Sequence, residues 1–212
     1  MKQIEYKRSI PKDIRVIGYK GETFPEVFTA YPSGRMIHKV QKIEDYETLH
    51  ISNGPDEIVL DGRPTAIDLF CGCGGFSLGF VHAGYQILAA VDNEKWSIVT
   101  YSCNIPNYQE APVHVYFMDI RKLSGLTILS NLGLEQGDVD VVFGGPPCQS
   151  FSKMNTRKEV GDLRDYLIYE FQRVVLEIQP KAWVMENVPE ILSKKLPDGT
   201  KVIDKFYKGW KE

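Results

Sequence analysis

TAIDLFCGCGGFSLG, residues 65–79, reads as a strand, a glycine-rich turn and the opening of a helix. The apolar run ends at Phe70. Gly72, Gly74 and Gly75 then allow positive φ and let the backbone come close to a ligand. Outward from this unit the pattern repeats, with apolar runs of strand length alternating with amphipathic, helix-length segments. ILAAVD (87–92), VYFMDI (115–120), DVVFGG (140–145) and AWVMENV (182–188) are the further strands. One helix is expected over roughly 94–104. Another, LRDYLIYEFQRVVLEI (163–178), has Leu167, Phe171, Val174, Val175 and Ile178 at helical spacing, and Pro180 stops it. The order predicts an α/β domain with a mostly parallel sheet over 63–212. A loop-rich extension precedes it at 1–62, with short strand-like pieces at VFTAY, MIHKV and EIVL and no motif of known role.

Composition sets limits on function. The 212 residues suffice for one α/β domain and an appendage, and their hydrophobic and charged shares are ordinary for a globular chain. No apolar stretch reaches the roughly 18 residues that a membrane span needs, and the N-terminus lacks a signal-peptide core. A cytoplasmic setting is expected. The four cysteines, at 71, 73, 103 and 148, form no disulfide framework, and Cys71-x-Cys73 lacks a second ligand pair, so no metal site is expected. The formal charge of −3, without a long basic run, leaves little electrostatic affinity for nucleic acid.

Open α/β sheets bind ligands at the carboxyl ends of their strands. Asp68, Asp92 and Asp119 all fall there. Asp92, closing the second strand, can accept bonds from both ribose hydroxyls, with Glu94 as the alternative acid; Asp119 lies within reach of an adenine amino group. The turn is not GxGxxG and no Lys-Ser/Thr follows it, so an adenosyl group fits better than a dinucleotide or a triphosphate.

GGPPCQSFS, 144–152, is the second decisive stretch. Pro146 and Pro147 lock the chain as it leaves the fourth strand and present Cys148 at the sheet edge. The fifth strand ends in Glu186-Asn187-Val188 at the same edge. A thiolate and a carboxyl group can therefore meet beside the cofactor. Methylation of cytosine at carbon 5 needs that pair: a thiolate adds to carbon 6, and a proton is shared at ring nitrogen 3. Strand-end surface acids and a loop thiol would be the unremarkable alternative.

These motifs, in this order, resemble the C5-cytosine DNA methyltransferases from about Pro64 to Ile191. The resemblance implies a Rossmann-like, S-adenosylmethionine-dependent methyltransferase domain acting on a flipped-out cytosine in DNA. It implies that DLFCGCGGFSLG is the cofactor loop, with Phe70 on the adenine and Gly72, Cys73, Gly74 and Gly75 in the turn. VDNEKW (91–96) would be the ribose segment, with Asp92 and Asn93, and MDI (118–120) the adenine segment, with Asp119 and Ile120. Pro146 and Leu167 would line the cofactor pocket, Cys148 would be the nucleophile, and Glu186 the group at ring nitrogen 3. QSFSKMNTRKEVGD (149–162) resembles the family's mobile loop. A complete member continues with a Gln-x-Arg-x-Arg strand and a target-recognition domain, which this sequence does not show. The expectation is therefore a catalytic portion that needs a second polypeptide to methylate DNA. A tRNA-modifying branch of the family and a non-catalytic adenosyl-binding subunit are the alternatives.

Overall fold

The computed structural model describes residues 15–16, 26–32, 50–52, 54–147, 167–196 and 198–210. Eight strands are defined among them: β1 (Arg15–Val16), β2 (Val27–Ala30), β3 (His50–Ile51), β4 (Thr65–Leu69), β5 (Gln86–Asp92), β6 (Val113–Phe117), β7 (Val141–Gly144) and β8 (Ala182–Met185). They form one sheet in the order β1-β3-β2-β6-β5-β4-β7-β8. The five strands β6-β5-β4-β7-β8 run parallel, while β2 pairs antiparallel with β6. The order turns at β4, so the next parallel strands in sequence lie first on one side of it and then on the other. That reversal places the ends of β4, β5 and β7 around a crevice.

Helices α1 (Gly75–His82) and α2 (Lys95–Gln109) cover one face; α3 (Gly125–Leu132) and α4 (Leu167–Ile178) cover the other, and α5 (Val202–Lys208) follows β8. The central strands are buried on both sides and therefore read as continuous apolar runs rather than as alternating ones. On the first face Phe28, Tyr101 and Phe143 are wholly buried; on the second, Phe171, Val174 and Ile178 are.

Several boundaries differ from the sequence reading. The third strand starts earlier, at Val113, and stops at Phe117, because Asp119 caps a 3-10 turn over Ile120–Lys122 instead of extending the ladder. The fifth strand stops at Met185. The second helix does not end near 104 but runs through Pro106 to Gln109, closing on Glu110 in the left-handed region. Pro106 is tolerated because it costs a single backbone bond in the last turn. EIVL is not a strand: the Gln86 side chain takes up its backbone, with Nε2 donating to the Val59 carbonyl at 3.0 Å and Oε1 accepting from Asp61 N–H at 3.2 Å. The α3 helix is absent from the sequence reading, although Ser124 caps its start and Gly133, at φ 66°, closes it. MIHKV lies outside the described residues, as do residues 163–166 of the long helix.

Candidate active site

The Gly-rich turn is held in a conformation that most residues resist. Phe70, at its start, has φ 63°, a left-handed value that a phenylalanine adopts only when its surroundings impose it. Gly72 and Gly74 follow at φ 51° and 92°. A Cβ on Gly74 would fall 2.6 Å from Ile105 Cγ1, so the turn is pressed against α2. Cys73 and Gly75 stay exposed on its outer side.

Asp92 faces this turn. Its Oδ2 accepts from Gly72 N–H at 2.8 Å, and its Oδ1 accepts from Glu94 N–H at 2.8 Å. Both bonds come from backbone groups, which fixes the carboxylate at the rim and leaves lone pairs for a ligand. Glu94 is occupied elsewhere: its Oε2 caps α2 by accepting from Ser97 N–H at 2.6 Å, and that bond lowers its pKa despite partial burial. Asn93 is exposed beside Asp92. Asp119 lies at the end of β6, where the Arg121 guanidinium and backbone N–H hold its carboxyl below the usual range. Ile120 behind it is buried.

Beneath the turn lies a buried polar group whose role the sequence does not disclose. Asp68 is wholly buried; its Oδ2 accepts from Ser77 Oγ at 2.6 Å, and Ser77 shares a 2.8 Å hydrogen bond with the Tyr101 hydroxyl. Its Oδ1 is buried without a partner. Burial, with the Asp92 charge adding to it, pushes the Asp68 carboxyl up to about 8. Burial and the same two carboxylates push the Cys71 thiol up as well, so Cys71 is inert packing and no nucleophile.

The second half of the site joins the ends of β7 and β8. Glu186 N–H donates to the Gly144 carbonyl at 3.0 Å, continuing the parallel ladder one step beyond the strand. The Glu186 carboxylate then lies over Gly145, where an added Cβ would be 3.1 Å from Oε2. Asn187 Nδ2 donates to the Pro146 carbonyl at 3.1 Å and so ties the Pro146-Pro147 loop to the loop after β8. The glycines here are steric necessities: a Cβ on Gly144 would stand 2.0 Å from the Leu69 carbonyl. Pro146 is buried, and Leu167 packs partly buried at the start of α4. Cys148 and the 149–162 loop lie outside the described residues. Asn187, Ser77, Tyr101 and Gly145 carry geometry that the sequence reading did not assign. Asn187 follows Glu186 directly, and that adjacency was the available signal.

Residues 65–208 match the family model of the C-5 cytosine-specific DNA methylases. The chain belongs to this family. It is 45% identical over 129 residues to the type II methyltransferase M.DdeI of Desulfomicrobium norvegicum, covering 61% of this chain and 29% of that protein. It is 42% identical over 122 residues to the type II methyltransferase M.HgiGI of Herpetosiphon aurantiacus, covering 58% of this chain and 88% of that one. Among solved structures, a putative DNA modification methyltransferase encoded within an E. coli prophage superposes with a TM-score of 0.55 at 31% identity, over 68% of this chain and 37% of that one. The methylase chain described here thus spans about a third of M.DdeI and of the prophage enzyme.

The methylase family uses S-adenosylmethionine, and the residues present fit that group. Asp92 offers its carboxylate at the rim, and the Gly72–Gly75 turn keeps its outer side free of side-chain bulk apart from Cys73. Among the described residues no group of three or more His, Cys, Asp or Glu side chains is placed to hold a metal ion. Among the described residues no helix is long and apolar enough to cross a membrane.

Proposed function

We propose that this chain is the catalytic portion of a DNA (cytosine-5-)-methyltransferase, with Cys148 as nucleophile and Glu186 as the acid at ring nitrogen 3. The observation that carries the reading is the bond from Asn187 to the Pro146 carbonyl, with Glu186 lying over Gly145. It brings the loop leading into Cys148 and the loop bearing Glu186 to one edge, beside Asp92 and the Gly-rich turn.

S-adenosylmethionine, when bound, supplies an electrophilic methyl carbon on a sulfonium. Asp92 would take the ribose hydroxyls, Phe70 the adenine face, and Asp119 with Ile120 the adenine edge, with Asn93, Pro146 and Leu167 around them. The Cys148 thiolate adds to carbon 6 of the cytosine, forming a carbon–sulfur bond. The displaced electron density moves toward ring nitrogen 3, where Glu186 delivers a proton. Carbon 5, now an enamine carbon, would be the nucleophile for the methyl group that bound S-adenosylmethionine would supply, with the thioether as leaving group. Loss of the carbon 5 proton to solvent, with departure of the thiolate and return of the nitrogen 3 proton to Glu186, restores the ring. Carbon 6 is shielded in a stacked duplex, so the base must leave the helix first.

A second polypeptide carrying the target-recognition part completes the enzyme in this reading. Support comes from β8, the last strand of the sheet. All four of its residues are apolar, and Trp183 and Val184, on opposite faces, are 36% and 42% exposed. Unprotected edges of this composition invite a further strand. The test is transfer of tritiated methyl groups into mixed-sequence DNA and into tRNA, by the chain alone and with a candidate second polypeptide. Label in 5-methylcytosine of DNA, from the pair only, is the expected result. Sequence-specific methylation by the chain alone contradicts the need for a partner, and label confined to tRNA contradicts the DNA assignment.

A further inference from the structure

The N-terminal extension, for which the sequence offered no role, reaches the ligand edge of the sheet. Because β2 runs antiparallel to β6, with Val27 opposite Tyr116 and Ala30 opposite Val113, its first residues stand at the carboxyl end of the parallel strands. Phe117 N–H donates to the Glu26 carbonyl at 2.7 Å, two residues before Asp119. Met118 N–H donates to the Asp92 carbonyl at 3.0 Å, and Asp92 Oδ2 accepts from Gly72 N–H at 2.8 Å. A continuous row of bonds therefore runs from the extension, across the ends of β6 and β5, into the Gly-rich turn. Side chains follow the same path. Val27, Phe70 and Met118 are each partly buried, and each packs against the buried cluster that contains Tyr116 and Ile120. Phe28, the next residue, points to the opposite face and is wholly buried beside α1 and α2.

We propose that β2 forms the outer support of the adenine side of the cofactor pocket, with Val27 as a positioning residue that acts through Met118 and Ile120. The inference rests on the reading that an adenosyl group occupies this edge. Without β2, the end of β6 would be the margin of the parallel sheet. Its last amide would then face solvent, and Met118-Asp119-Ile120 would hang from one neighbour instead of two. Strand ends with fewer backbone partners open more readily. The extension thus acts on cofactor affinity rather than on chemistry.

The experiment uses the full chain and S-adenosylhomocysteine as the probe, by titration calorimetry well below the melting temperature, with amide exchange read at Phe117 and Met118. Val27→Ala is expected to weaken binding by about three- to ten-fold, as loss of packing behind a pocket wall should, and to speed exchange at both amides. Val27→Ile, which keeps a β-branched side chain there, leaves both near the parent's values. Phe28→Leu, on the other face, is the structural control. It is expected to lower the melting temperature at least as much as Val27→Ala while leaving affinity unchanged. Equal loss of affinity in Val27→Ala and Phe28→Leu, or none in Val27→Ala, overturns the proposal while the cofactor reading stands. A wild-type chain that binds no S-adenosylhomocysteine overturns the cofactor reading, and this proposal with it.

Discussion

Gly72 and Asp92 are joined by a single hydrogen bond of 2.8 Å, from the backbone N–H of the Gly-rich turn to the carboxylate that closes β5. The bond makes one unit of the two segments assigned to the cofactor. Asp92→Ala removes both the proposed ribose acceptor and the tether of the turn. S-adenosylmethionine affinity is expected to fall by about 1–3 kcal/mol, the cost of stranding polar partners. Calorimetry showing unchanged affinity would mean that another group holds the ribose; Glu94, already capping α2, is poorly placed to do so.

Gly144 and Gly145 separate folding from chemistry. Alanine at 144 drives a methyl group to 2.0 Å from the Leu69 carbonyl, between two central strands, and the variant is expected not to fold. Alanine at 145 meets only Glu186 Oε2, at 3.1 Å, the far end of a flexible side chain. Gly145→Ala should keep its melting temperature near that of the parent yet, assayed together with the second polypeptide, lose methyl transfer by about 10-fold or more, because the proposed acid is displaced. Activity equal to the parent's would remove Glu186 from the proposed position.

Asp68 gives the chain a pH signature. Its carboxyl is raised to about 8 in the fold, mainly by burial, against about 4 in an unfolded chain. The unfolded state therefore releases this proton first. The contribution to stability is complete below about pH 4 and is lost as pH rises through about 8. Melting temperatures measured across pH 5 to 9 should decline, and Asp68→Asn, which keeps an acceptor for Ser77, should flatten that decline. An equal slope in the variant would show that other groups set the profile.

Among the described residues no strand pairs with the outer side of β8, which has its own consequence. Trp183 stacks on Trp210 at 4.7 Å and is still partly exposed, while Val184 is open on the other face. The isolated chain is expected to self-associate with rising concentration. Val184→Lys, a charge on an exposed strand edge, should shift it toward monomer in light scattering. Monomeric behaviour of the parent at high concentration would mean that this edge is already satisfied.

Much of this architecture was legible because parallel strands buried on both faces leave uninterrupted apolar runs. TAIDL, ILAAVD and VVF announce themselves in that way, and the residues at their ends fall at one edge of necessity. Pairings across long sequence separations leave no such trace. Nothing in VFTAY tells that Phe28 and Ala30 pack beside β6, or that Glu26 closes the end of that strand. EIVL has the composition of a strand, but its backbone found the Gln86 side chain instead of a ladder. In the site, the residue types in the motifs pointed to their chemistry. The positioning contacts, Asn187 on Pro146 and Ser77 on Asp68, depend on how strands lie side by side and emerge only in three dimensions.

The most direct test of the central claim is covalent trapping of Cys148. Base flipping costs a few kcal/mol in a duplex and least at a mismatch or in a single strand. DNA bearing 5-fluorocytosine in a mismatched or single-stranded context therefore presents the ring without needing a target-recognition domain. Fluorine at carbon 5 cannot leave as a proton does, so the cysteine adduct should persist after methyl transfer. With S-adenosylmethionine present, mass spectrometry of the denatured protein should show an adduct on the Cys148 peptide, absent in Cys148→Ser. An adduct with the Ser variant, or none with a wild-type chain shown to bind the cofactor, would contradict the account.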